Sequence, residues 1–174
     1  DRNVDKTNYR LKDKFRILKG EELKNLFEEN FRVCREAGLK MWGVMPTPPS
    51  LIFGRWEKNK YSYYNFIIGT MCGIITSELR YDEEYPLKED YDFTCQNIKA
   101  FGGSLRCNEI RLEAAHVTNK GGCQEFRTLE LDKEMCVKLL EKWPNYIRKH
   151  VRREGQVMLH VKNINKLSIN SRQT

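Results

Sequence analysis

No stretch of this chain approaches the roughly 18 uninterrupted apolar residues that a membrane-crossing helix needs, and no signal-peptide pattern opens it. Cysteine occurs six times but never as Cys-x-x-Cys. Cys34, Cys72, Cys95, Cys107, Cys123 and Cys136 are scattered, several on apolar faces, which argues against a disulfide framework or a zinc site and for free thiols in a reducing compartment. There is no internal repeat and no Walker motif. Of three histidines, only His116 lies near a group of acids. These absences predict a soluble intracellular protein, cytoplasmic or nuclear, with no membrane partner.

What is present is a chain of 174 residues, 40% of them apolar, enough for one domain with a core. The formal charge is 31 − 24 = +7, which favours an anionic partner such as nucleic acid or a nucleotide. The positives gather in residues 1–20 and in Arg148-Lys149-His150-Val151-Arg152-Arg153. The latter run suits a phosphate backbone or a plain solvated turn. The expected organisation is a basic N-terminal segment at 1–20, a single α/β domain at 21–162 and a loose tail at 163–174.

Leu23, Phe27, Phe31 and Cys34 make one apolar face of a helix predicted over 21–37, with Gly38 as the glycine that ends it. A short buried strand is expected at 40–44, stopped by Pro46. Residues 46–64 read as a long loop in which Arg55, Trp56 and several tyrosines mix with lysines. Base stacking and phosphate contact need that mixture, although such a loop can also anchor itself with its own aromatics. Phe66 to Thr76 is almost wholly apolar and reads as the central strand, interrupted by Gly69 and Gly73; packing is the reading for Gly73. A second helix is expected up to Gly102-Gly103, then one bent strand or two from Ser104 to Val117, a helix from Thr128 to Trp143 ended by Pro144, and a closing strand within 155–161.

Glu89, Asp90 and Asp92 crowd the start of the second helix. They suit its positive end, and one of them could take a proton from an acceptor hydroxyl. Downstream, His116 precedes Thr118-Asn119-Lys120-Gly121-Gly122, whose lysine and backbone N–H groups suit a diphosphate.

The order Trp42-Gly43-Val44, Phe66-Ile67-Ile68-Gly69, Lys88-Glu89-Asp90-Tyr91-Asp92-Phe93-Thr94, Leu105-Arg106 and Asn119-Lys120-Gly121-Gly122 resembles the TET/JBP-associated glycosyltransferases, over residues 21–153. The resemblance implies a GT-A-like mixed sheet flanked by helices. It implies transfer of a sugar, often glucose from UDP-glucose, to a hydroxyl on a modified DNA base, assisted by a divalent metal (Mn²⁺ or Mg²⁺). Carried over residue by residue, it makes Asp90 the general base with Glu89 beside it, and His116 a metal ligand. It gives Asn119, Lys120, Gly121 and Gly122 to the diphosphate, Gly69 to close approach of donor or acceptor, Arg106 to a phosphate or carboxylate, and Trp42 and Arg55 to the acceptor. Arg148, Arg152, Arg153 and Trp56 remain nucleic-acid candidates from composition. Family members occur in phages, viruses and nuclear proteins. A GT-A domain opens with a nucleotide-binding half ending in Asp-x-Asp, and none precedes Asp1. The expectation is therefore the C-terminal part of a longer enzyme, or a trimmed member of the family. Two alternatives are a non-catalytic nucleic-acid-binding module and a metal-dependent nuclease or other phosphoryl-transfer enzyme.

Overall fold

The computed structural model describes residues 17–46, 59–69, 71–112 and 127–161. Its elements are α1 (Glu21–Glu36), β1 (Met41–Pro46), β2 (Tyr61–Ser62), β3 (Cys72–Ile74), α2 (Glu89–Phe101), β4 (Leu105–Leu112), α3 (Leu129–Lys142), β5 (Ile147–Lys149) and β6 (Val157–Leu159). Four strands form a mixed sheet in the order β2-β4-β1-β3. The central pair β1 and β4 is parallel, and both outer pairings are antiparallel. The chain is thus α/β. Among the described residues, no helix is long and apolar enough to cross a membrane.

α1 ends as its sequence dictates. Gly38 takes a left-handed φ of 71°. Leu39 N–H then donates to Cys34 O at 2.8 Å and Gly38 N–H to Arg35 O at 2.9 Å, closing the helix while Leu39 packs beside Cys34. Alternation along β1 sends Met41 and Trp42 to opposite faces of the sheet. Trp42, Val44 and Leu105 meet α1 through Cys34, Phe27 and Phe31. Met41 meets Ile67 and Phe93, the latter on α2. The far side of α2 carries Cys95 into a further cluster with Met135, Cys136, Leu139 and Trp143 of α3 and its end, and with Ile147 and Val157 of the β5–β6 hairpin. α2 is therefore sandwiched, which is why six of its residues, Asp92 to Cys95, Asn97 and Ile98, are buried.

Several expectations need correction. Phe66 to Thr76 is not a central strand. Among its described residues only Cys72–Ile74 forms a strand, at an edge of the sheet; the centre is β1 and β4. Ile67 instead drops into the contact with Met41 and Phe93, and Gly69 lies in a turn. Gly73 does serve packing: a Cβ there would overlap the Trp42 indole and crowd Phe31. The expected 46–64 loop contains β2, whose Tyr61 pairs with Cys107, and Tyr61 and Tyr63 pack on the α1 side of the sheet. The closing strand exists as β6, but it pairs with β5 in a separate two-stranded sheet. β5 itself overlaps the start of the basic run at Arg148 and Lys149, where no strand was expected. Cys34, Cys72, Cys95, Cys107 and Cys136 are free thiols.

Candidate functional site

The start of α2 faces a cleft of about 720 Å³ lined by Phe66, Ile68, Gly69, Tyr81 and Leu87, by the run Lys88 to Tyr91, and by Arg127 and Arg153. Segments distant in sequence converge here: the turn before β3, Tyr81, the first turn of α2, Arg127 just before α3, and Arg153 in the β5–β6 turn.

Asp90 is the central acid. Its Oδ1 accepts from Tyr91 N–H at 2.9 Å and its Oδ2 faces Gly69 N–H at 3.4 Å. Burial, with the Glu89 charge beside it, pushes its carboxyl up to about 6; the Gly69 and Tyr91 N–H groups and the Lys88 charge oppose the rise. Such a carboxyl is half ionised close to neutrality, where a general base works best. Tyr91 stacks on Phe66 with ring centres 4.1 Å apart, and Tyr81 on Phe93 at 4.3 Å, so the cleft has stiff aromatic walls. Burial, with like charge from Asp90, pushes the Tyr91 hydroxyl up to about 12. Burial also pushes Tyr81 to about 12, assisted by Cys72 and the two acids. Neither phenol ionises at neutral pH.

Asp92 turns the other way. It is 0% exposed. Its Oδ1 accepts from Trp143 Nε1 at 2.7 Å and meets Lys142 Nζ at 2.8 Å, while Oδ2 accepts from Gln96 Nε2 at 2.6 Å. Oδ1 is committed to the joint between α2 and α3 and Oδ2 to Gln96 on α2 itself, and Asp92 does not line the cleft.

Lys88 precedes the acids and has an unusual backbone. It occupies the N-cap of α2 with φ 63° and ψ 21°, and it is the one non-glycine residue with positive φ among the described residues. That conformation costs on the order of 1–2 kcal/mol in a residue with a Cβ. A lysine side chain also has no acceptor with which to cap a helix. Its Nζ turns inward to Asp132 Oδ1 at 3.2 Å and Gln156 Oε1 at 3.0 Å. Burial alone would raise the Asp132 carboxyl, but the Gln156 and Lys88 hydrogen bonds and the nearby Lys88 and Arg127 charges outweigh it and hold the group below its ordinary value.

Of the residues singled out from sequence, the cleft gathers Asp90, Glu89, Gly69 and Arg153. Trp42 does not belong with them. It is 0% exposed in the core, held edge-on between Phe27 and Phe31 at 5.3 and 5.4 Å, so its indole reaches no acceptor. Arg106 lies on β4 with Nε donating to Asn108 Oδ1 at 2.9 Å, and it does not line the cleft. Arg148 is exposed on β5, and Arg152 is exposed in the following turn. Arg55, Trp56, His116, Asn119, Lys120, Gly121 and Gly122 lie outside the described residues. Among the described residues, no group of three His, Cys, Asp or Glu side chains could hold a metal ion.

The reading from sequence missed Arg127, Tyr81 and the Lys88–Asp132–Gln156 group. Arg127 left a faint signal, since it abuts the Thr128 N-cap whose side chain accepts from Leu131 N–H. Nothing local marks Asp132 or Gln156, because their partner is brought to them by the tertiary fold alone. Comparison with protein-family models, with curated proteins and with solved structures finds no match to this chain.

Proposed function

We propose that the protein is a glycosyltransferase of the GT-A-like kind, moving a sugar from a UDP-sugar to a hydroxyl on a modified DNA base, with Asp90 as the general base. The observation that carries this reading is Asp90 itself: a carboxylate in an open, aromatic-walled cleft, with its titration raised toward neutrality and two arginines on the same cleft. The α/β mixed sheet between helices is compatible with the fold that the sequence resembles.

In the proposed step the Asp90 carboxylate accepts the proton of the acceptor hydroxyl. The acceptor oxygen forms a bond to the anomeric carbon. The bond from that carbon to the diphosphate oxygen breaks, and UDP departs with the electron pair. Arg127 and Arg153 offset the charge of the phosphates. The resemblance adds a divalent metal with His116 among its ligands. Asp92 cannot be another, because its oxygens are consumed inside the protein, and the described residues supply no ligand set of their own.

The test is mass spectrometry of duplex DNA bearing 5-hydroxymethylpyrimidines after incubation with the protein, UDP-glucose and Mn²⁺. The expected result is a gain of one hexose, slowed roughly 10²–10⁴-fold in Asp90→Asn. A second reading, a nucleic-acid-binding module without catalysis, draws on the exposed Arg148, Lys149 and Arg152 of the hairpin. DNA binding without transfer, unchanged in Asp90→Asn, would favour it. Metal-dependent cleavage of DNA without a sugar nucleotide would instead favour a nuclease.

A further inference from the structure

We propose that Lys88, Asp132 and Gln156 form a positioning clamp that aims the Asp90 carboxylate into the cleft and holds the Arg153 turn beside it. The inference rests on Asp90 being the working base.

The clamp joins three elements that are distant in sequence. Lys88 is the N-cap of α2, Asp132 sits in the first turn of α3, and Gln156 immediately precedes β6. The Lys88 and Asp132 side chains are only 8% and 12% exposed where they pair. Gln156 bridges them, with Oε1 accepting from Lys88 Nζ at 3.0 Å and Nε2 donating to Asp132 Oδ2 at 2.5 Å. The three members thus satisfy one another in a largely buried position, with Arg127 Nη2 reaching Asp132 Oδ1 at 3.6 Å from the solvent side.

Each end of the clamp leads directly to a residue of the cleft. Lys88 O accepts from Tyr91 N–H at 3.0 Å and Asp92 N–H at 3.3 Å, so the Lys88 backbone sets the direction of the turn that carries Asp90. Gln156 N–H donates to Arg153 O at 3.2 Å, and Gln156 O accepts from His150 N–H at 2.7 Å, closing the turn that carries Arg153. A glycine at position 88 would adopt the left-handed backbone without strain, and a serine or aspartate at an ordinary N-cap would cap the helix. Lys88 does neither. What it does supply is a buried tether, and the tether fixes the residue two positions before the base.

The experiment follows the Asp90 carboxyl by ¹³C NMR titration in the full chain, in wild type, Lys88→Gly, Gln156→Ala and Lys88→Arg. The sign of the change separates positioning from charge. Losing the Lys88 cation alone would raise the Asp90 midpoint. Losing the clamp frees the first turn, exposes the carboxyl to water and lowers the midpoint from about 6 toward the ordinary 3.8. The expected result is a fall in Lys88→Gly and in the charge-neutral Gln156→Ala, with Lys88→Arg close to wild type. A rise or no change in Lys88→Gly, or no change in Gln156→Ala, overturns the clamp. Loss of fold in both variants also overturns it, because the trio would then serve stability alone. The titration needs no substrate. Absence of sugar transfer alongside the expected fall would remove the transferase reading and leave the clamp standing. Undiminished transfer in Lys88→Gly would do the reverse.

Discussion

Asp90 gives the folded chain an acid-favouring contribution, opposite in sign to that of a paired carboxylate. Its midpoint is about 6 when folded against 3.8 for an unperturbed aspartate. Below 3.8 both states hold the proton and the contribution is complete. Between 3.8 and about 6 the unfolded chain releases its proton while the native state retains it, so stability falls; above that window the loss is complete. A shift of this size corresponds to on the order of 2–3 kcal/mol. Asp90→Asn removes the dependence. Urea unfolding of both proteins from pH 3.5 to 7.5 should show the variant gaining relative stability across the window, and parallel curves would refute the assignment. Asp132 and Asp82, held below their ordinary values, weaken the fold at lower pH in both proteins and cancel in the difference. The acidic cluster was legible in the sequence. The resemblance singled out Asp90, but the residue pattern alone did not say which acid faces the cleft, because residues two apart on a helix point about 200° apart, and only the docking of α3 decides which of the two is buried.

At the level of elements Asp90 and Asp92 have separate roles. Asp92 joins α2 to α3, and truncating it leaves the Trp143 N–H without a partner inside the core. Lys142 would keep Asp82 at 2.7 Å and some contact with water, so the cost is that of one stranded donor rather than of an abandoned buried charge. Asp92→Ala should therefore destabilise by about 1–3 kcal/mol, while the Asp90 titration stays near 6. Thermal and urea unfolding measure the first, and NMR the second. A shift of the Asp90 midpoint toward 3.8 would show that the two acids act as one site. On the opposite face of the sheet, Gly73→Ala should cost about 1–3 kcal/mol in urea unfolding, because Trp42 is wedged by Phe27 and Phe31 and has no room to retreat from a new methyl group. An unchanged midpoint would mean that β3 shifts freely at its edge. The helices were legible because their apolar periodicity and their terminators, Gly38, Gly102 and Pro144, are local. The strand at Phe66 to Thr76 was misread because an apolar run records burial and not extension: Ile67 is buried by α2 without belonging to the sheet.

For the molecule as a whole, the +7 charge and the α/β class were legible in composition and element order. The strand order β2-β4-β1-β3 was not, since it depends on which strand ends meet in space. The hairpin was hidden for another reason. Ile147–Lys149 points Arg148 and Lys149 to solvent and buries only Ile147, so its sequence carries the charge of a loop. That geometry makes a direct test of polyanion binding available. Arg148, Lys149 and Arg152 are exposed and can be replaced by alanine without emptying the core, while Arg153 is left to the cleft. If the hairpin contacts a DNA backbone, each lost cation removes one phosphate contact and the counterion it would have released. The slope of log affinity against log salt should then become shallower by up to about 0.9 per contact, nearly three for the triple variant. Fluorescence anisotropy of a labelled duplex between 50 and 200 mM salt, about the range where such contacts dominate, measures it. An unchanged slope with weaker binding would place the loss elsewhere than in phosphate contacts. An unchanged affinity would assign the basic run to solvation, and the acceptor would then have to reach Asp90 from the opposite side of the cleft.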